Sequence, residues 1–172
     1  MERFSLALLH DHRAMISKDE LRWRSAPFSE LTTGQLYALL QLRQRVFVVE
    51  QRCAYLDADG YDEKATHVWA ERERDKRAIP EVFAASRFFA PGIKYPEASF
   101  GRVVSAPEVR ATGVGRLLVR RTIDEIERTF EKVAIRISAQ AHLERFYGEF
   151  GFRAVSERYL EDDIPHVAML RG

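Results

Sequence analysis

The string VRATGVGRLLV, residues 109–119, sets Arg110 three residues ahead of Gly113 and puts Gly115 two beyond it, just before a helical run. Where a strand gives way to a helix, the N–H groups of the first turn have no acceptor within the helix, and such groups bind anions. Glycines at that point lack a Cβ, so a phosphate can come close to the backbone. A plain helix-start turn uses the same residues, and for two glycines alone that simpler role is the commoner one. The charges that follow favour the anion. RLLVRRTIDEIE places Arg116, Arg120 and Arg121 ahead of Asp124, Glu125 and Glu127, the reverse of what the helix dipole prefers, at about 0.3–1 kcal/mol per charge. A bound anion offsets that cost. No Gly-Lys-Ser/Thr follows, which excludes a P-loop, and Leu118 stands where the dinucleotide fingerprint needs its third glycine.

The elements around this stretch define an α+β domain with a mixed, mostly antiparallel sheet of six to seven strands flanked by helices. The 172 residues are 46% hydrophobic and 31% charged, enough for one domain with a sizeable core. Residues 1–20 read as an N-terminal extension and 21–172 as a single domain. An edge strand is expected over 21–26, ending at Pro27. Thr32 and Gln35 then form the pattern of a capping box, and Leu39, Leu42, Val46 and Val49 continue at helical spacing. THVWAER, EVFAASRFF and SFGRVVS follow as an antiparallel meander. The glycine stretch opens a helix to about Phe130, with Val119, Ile123, Ile126 and Phe130 on one face. KVAIRISA (132–139) is the next strand, and the βαβ order makes it parallel to the one at 99–105. HLERFYGEFG forms a short helix closed by Gly151, before two last strands in FRAVSERYL and HVAMLR.

Composition also bounds the partners. A net charge of +1 argues against a chain-wide nucleic-acid footprint. No apolar run reaches membrane-spanning length, and the short apolar stretch of MERFSLALLHDH is broken by His10 and Asp11, so neither a membrane span nor a signal peptide is expected. Cys53 is the single cysteine, so no internal disulfide can form, and a cytoplasmic protein is expected.

Arg-x-x-Gly-x-Gly, as RATGVG after GRVVSAPEV, resembles the acyl-CoA pyrophosphate loop of the GNAT superfamily of N-acyltransferases. FVVEQ, AQAHLERFYGEFGF and EDDIPHVAM resemble that superfamily's ElaA-like branch. The likeness runs from about residue 28 to 171 in the expected order. Many members have Gly at the position of Ala111, a place the looser motif leaves open. The resemblance implies a sheet splayed between the strand before the loop and the strand after the crossover helix, with the pantetheine arm of acetyl-CoA entering the gap as an added strand. Backbone groups of Val103, Val104 and Ser105 then hold the pantetheine. Arg110, Ala111, Thr112, Gly113, Val114, Gly115 and Arg116 hold the pyrophosphate, and Phe146 borders the cofactor.

The same resemblance puts Tyr147 opposite the departing sulfur. Leu143, Phe146, Tyr147 and Phe150 also fall at i, i+3, i+4 and i+7, the spacing of an ordinary core face. Reference values near 10 for Tyr and 8.5 for a thiol make full proton transfer uphill by roughly 2 kcal/mol, so a hydrogen bond to the thiolate is the easier role. The acceptor must be a neutral amine, which calls for a base or a water relay. Glu50, His142 and His166 are the candidates, with Glu50 and His166 level and His142 behind. The implied activity is acetyl transfer from acetyl-CoA to a small-molecule or peptide amine, by a monomer or homodimer that needs no metal. The alternative is a non-catalytic acyl-CoA-binding regulatory domain. DADGYDE, with Asp57, Asp59 and Asp62, has its glycine in the fourth place and fails the EF-hand pattern. It reads as a solvated loop whose acidity, with Glu161, Asp162 and Asp163, draws a cationic amine.

Overall fold

A computed structural model of the chain describes residues 16–72 and 79–172. The expected extension lies outside the described residues as far as residue 15. Its last part is docked: Ile16 is buried and its N–H donates to the Glu108 carbonyl at 3.0 Å.

The described strands are β1 (Arg22–Pro27), β2 (Thr66–Arg72), β3 (Glu81–Phe89), β4 (Ala98–Ser105), β5 (Ile135–Gln140), β6 (Arg153–Ala154), β7 (Tyr159–Glu161) and β8 (Ile164–Arg171). They form one sheet in the order β1-β2-β3-β4-β5-β8-β6, with β7 also on β8. β4 and β5 pair in parallel and the other pairings are antiparallel. The sheet has eight strands rather than six or seven because FRAVSERYL is two strands, not one. Val155 N–H still donates to the Ala168 carbonyl at 2.8 Å, but Ala168 N–H donates to Ser156 Oγ at 3.0 Å, so a side chain takes the place of the next main-chain acceptor between β6 and β7.

Helix α1 (Thr33–Arg43) starts with the expected capping box: Gln35 N–H donates to Thr32 Oγ1 at 3.2 Å, and Thr32 N–H to Gln35 Oε1 at 2.9 Å. It runs on as a π-helix over Gln44–Glu50. The wider i→i+5 winding breaks the 3.6-residue phase. Leu39, Leu42 and Val46 are therefore buried as expected, while Val49 is 73% exposed. Helix α2 (Val114–Phe130) buries Leu118, Val119, Thr122, Ile123 and Ile126, and α3 (Glu144–Gly148) follows β5. The core joins these faces to Trp69, Phe83, Phe88, Ile135 and Met169.

The feature that positions the site lies in the middle of the sheet. β4 pairs with β5 only at Ala98↔Ile135 and Ser99↔Arg136, although β4 continues to Ser105 and β5 to Gln140. On its other side the β3–β4 register slips between Ala85 and Arg87, beside Arg102 at φ 52°. Such a bulge bends its strand and re-aims its side chains. Beyond Ser99 the two strands part, which gives the expected splay.

Candidate active site

The parted strands enclose a cavity of about 190 Å³ lined by Ser99 to Val103 of β4, Ile137 to Gln140 of β5, Tyr147 of α3 and His166 of β8. Register explains the gathering. Phe89 lies opposite Ser99, Arg87 opposite Gly101, and Gln140 opposite His166, so these side chains share one face of the sheet.

Tyr147 is 6% exposed and packs against Phe100, Phe146 and Phe152 at centroid distances of 6.2, 5.2 and 6.1 Å. Burial pushes its phenol well above the usual range. Its hydroxyl has no hydrogen-bond partner among the described residues, so its donor capacity is available to a ligand. The ring thus packs in the core, and the residue also lines the cavity.

His166 Nδ1 lies 2.8 Å from the Ile164 carbonyl oxygen. A carbonyl only accepts, so Nδ1 carries the proton and the neutral ring keeps its lone pair on Nε2. The ring stacks on Tyr159 at 6.3 Å. Ser138 Oγ lies 2.6 Å from both Tyr159 Oη and Glu161 Oε2, accepting from the phenol and donating to the carboxylate. Ser138 and Tyr159 were not among the expected site residues, and Glu161 was expected only as part of the acidity that draws the amine. The alternation Arg136, Ser138, Gln140 between apolar residues of β5 is a signal for Ser138. The other two base candidates lie elsewhere. Glu50 sits outside the cavity lining and accepts two hydrogen bonds from Arg110, at 2.5 and 2.9 Å. His142 borders a separate groove with Arg145, Arg153 and Arg158. Only His166 faces the same cavity as Tyr147.

At the far end of β4 the chain turns into α2. Ala111 (φ 61°) and Gly113 (φ 87°) are both left-handed, a conformation that suits glycine and costs alanine about 1–2 kcal/mol. The first hydrogen bond of α2 runs from Leu117 N–H to the Gly113 carbonyl. No backbone N–H from Ala111 to Arg116 has a protein acceptor among the described residues. A Cβ on Gly113 would meet nothing within 4 Å, so the space over this concave run of N–H groups is open. Val103 lines the cavity, Val104 is buried, and the Ser105 carbonyl accepts from Arg110. Phe146 lies under the Arg116 guanidinium at 5.7 Å. The reversed charge order has protein partners as well: Arg116 pairs with Glu149, Arg120 lies over Phe150 and Arg121 over Trp23. The open N–H groups and the two left-handed residues are thus better evidence for an anion than the arginines are.

The acidic loop departs from expectation. Asp57 and Asp62 are buried, and the loop is tied to arginines rather than solvated. Arg43 bonds Asp57 at 2.8 Å and Asp62 at 2.6 Å. Arg87 bonds Asp62 at 2.7 Å and Asp59 at 2.6 Å, and Arg102 lies 2.7 Å from Asp57. Burial alone would raise the Asp59 and Asp62 carboxyls, but hydrogen bonds from Arg87 and Arg43 hold them low. A carboxylate already paired attracts no amine. The same residues bring Arg87, Arg102 and Lys94 to the cavity lining.

Comparison with known proteins agrees with this architecture. The family model described as an acetyltransferase (GNAT) domain matches residues 92–171. The chain is 40% identical to a UPF0039 protein of Synechocystis sp., across 88% of this chain and 95% of that one. A crystal structure of an acyl-CoA N-acyltransferase from Pseudomonas aeruginosa is 42% identical and superposes with a TM-score of 0.81, covering 88% of this chain and 99% of that one. Escherichia coli ElaA superposes with a TM-score of 0.78 at 36% identity, again over 88% and 99% of the two chains.

Proposed function

The chain belongs to the GNAT acetyltransferase family, in the branch that holds ElaA and the UPF0039 proteins, and from that membership we propose that it moves an acetyl group from acetyl-CoA to a primary amine by direct attack. The observation that carries the proposal is the unpaired stretch of β4 and β5, which leads to a helix start with open N–H groups. An internal strand edge offers main-chain donors and acceptors to an extended ligand that bears amides, and the helix start suits a pyrophosphate. Both ends of acyl-CoA thus have a fitting place.

Backbone groups of Val103 and Ser105 orient the pantetheine arm, and the N–H groups of Ala111 to Arg116 hold the pyrophosphate. Arg110 exchanges Glu50 for phosphate when the donor binds. The amine enters from the side of Glu161 and His166. His166 Nε2 takes its proton, directly or through water, as the nitrogen bonds to the thioester carbon and the carbon–sulfur bond breaks. Tyr147 donates a hydrogen bond to the sulfur as charge collects there. With its phenol pushed up by burial, Tyr147 is a poorer acid than a free tyrosine, so it stabilises the thiolate and keeps its proton. The acyl group passes straight to nitrogen, with no residue acylated on the way. The single cysteine, Cys53, lies outside the cavity lining and fits a protein of the reducing cytoplasm.

Free-thiol release from acetyl-CoA, measured with a panel of amines and peptides, tests the proposal. Release that depends on an acceptor supports it. Acetyl-CoA binding without release for any acceptor would leave a regulatory binding domain instead.

A further inference from the structure

The cavity extends beyond the space for the donor, to the end of β4 opposite the cradle. Ser99 and Ser105 are six residues apart, about 20 Å along a strand, so the Ser99 end lies away from the donor's phosphates. That end is cationic. Arg43, Arg87, Arg102 and Lys94 face Asp57, Asp59 and Asp62, so four cations meet three carboxylates and one positive charge is left over. Among its neighbours, burial holds His67 toward its neutral form and raises the Tyr55 and Tyr95 phenols, while burial and the adjacent Arg87 guanidinium lower the Lys94 ammonium from its ordinary value. Lys94 Nζ is 3.6 Å from Asp59 Oδ2 and lies over the Tyr61 and Phe89 rings at 4.4 and 5.2 Å.

Two buried polar atoms at this end also lack partners. Ser99 is 2% exposed and Arg87 1% exposed, and neither Ser99 Oγ nor Arg87 Nε has a hydrogen-bond partner among the described residues. Buried donors are normally satisfied, and those that are not call for an explanation. Both residues line the cavity, and the space over Gly101, opposite Arg87, is open: a Cβ there would meet nothing within 4 Å. Glu161, held by Ser138, and His166 line the same cavity, and Glu161 has no cationic partner among the described residues.

We propose that the acceptor is an amine that also carries a carboxylate, an amino-acid-like zwitterion whose carboxylate is held at Lys94, Arg87 and Ser99 and whose nitrogen lies toward Glu161 and His166. This rests on the acyltransfer proposal for the reaction and adds the substrate class. One surplus positive charge matches a singly charged carboxylate better than a doubly charged phosphate monoester, and complementary charge at both ends fixes the substrate's orientation.

Binding tests this without relying on turnover. N-Acetyl derivatives of glycine, leucine and phenylalanine, each as free acid and as carboxamide, are titrated calorimetrically into the protein saturated with CoA. For at least one pair the acid binds about tenfold or more tightly than the amide, the fold-change of one charge-assisted hydrogen bond. Lys94→Gln removes that difference while the amide's affinity and CoA binding stay the same. Ser99→Ala, which leaves the charges in place, narrows it. Equal affinity within every pair, including no measurable binding of either member, overturns the proposal, as does a Lys94→Gln variant that keeps the preference. Absence of thiol release with every amine would instead count against acyl transfer, so the two failures are distinguishable.

Discussion

Replacing Tyr147 with Phe separates packing from chemistry at the proposed leaving-group position. The ring keeps its contacts with Phe100, Phe146 and Phe152. Only the hydroxyl goes, and it has no protein partner among the described residues, so no buried group is left unsatisfied. The stability change is therefore within about 1 kcal/mol, or a melting shift of about 2–4 °C for a domain of this size. Turnover should respond far more. Loss of one donor to a developing charge costs about 10²- to 10³-fold, and this donor sits where burial excludes competing water. Steady-state thiol release gives kcat, calorimetry gives acetyl-CoA affinity, and melting with and without CoA controls for folding. The expected variant melts like wild type, binds acetyl-CoA as tightly and turns over slowly. Because the phenol keeps its proton in this scheme, the pH profile of the residual activity should match wild type in shape. Turnover near wild type would show that Tyr147 only packs and that the thiolate is stabilised elsewhere.

Other outcomes follow from the same contacts. His166→Gln should lower kcat/KM by about 10²- to 10⁴-fold, whereas Glu50→Gln and His142→Gln should stay close to wild type; thiol-release kinetics on the three variants check this. Ala111→Gly relieves a left-handed alanine and should raise stability by up to about 1 kcal/mol, read by denaturant unfolding, with acetyl-CoA affinity retained. Asp62→Ala leaves Arg43 and Arg87 short of a buried carboxylate and should cost roughly 3–5 kcal/mol in the same measurement. Burial holds His67 below its ordinary 6.5, while Asp59 and Asp62 are held below 3.8, so at low pH the unfolded chain binds more protons than the folded one. As pH falls from neutrality, stability should start to fall below the free histidine value and fall further below that of free carboxylates. Melting across pH checks it, and His67→Gln should erase the first part of the decline.

The patterned elements were legible because each obeys a local rule. The Thr32–Gln35 capping box, the meander of β2 to β4 and the βαβ passage through α2 all follow from caps, turns and periodicity. Val49 escaped because a π-helix changes the phase without changing the residue types. The division of FRAVSERYL escaped because it depends on Ser156 reaching across to Ala168, a contact with no local signature. At the site, RATGVG marked the helix start, and Ala111 takes a left-handed conformation there that suits glycine. The base could not be singled out among Glu50, His142 and His166 in sequence, since what separates them is long-range: Glu50 meets Arg110 at the glycine turn, His142 borders a separate groove and His166 lines the cavity. The buried ion network was half visible. Arg87 is the single charge among the buried residues of β3, and a buried guanidinium demands carboxylates, yet nothing local says that they come from Asp57, Asp59 and Asp62.

Mass balance after incubation with acetyl-CoA and amines tests acyl transfer at the parted strands most directly. Mass spectrometry of acceptor and protein, alongside thiol release, should find one acetyl group on the acceptor nitrogen for each CoA freed and none retained on the protein, with Gly113→Val and Gly115→Val abolishing both signals in folded protein. Thiol released without any acetylated amine, or an acetyl group held on the protein itself, would contradict direct transfer.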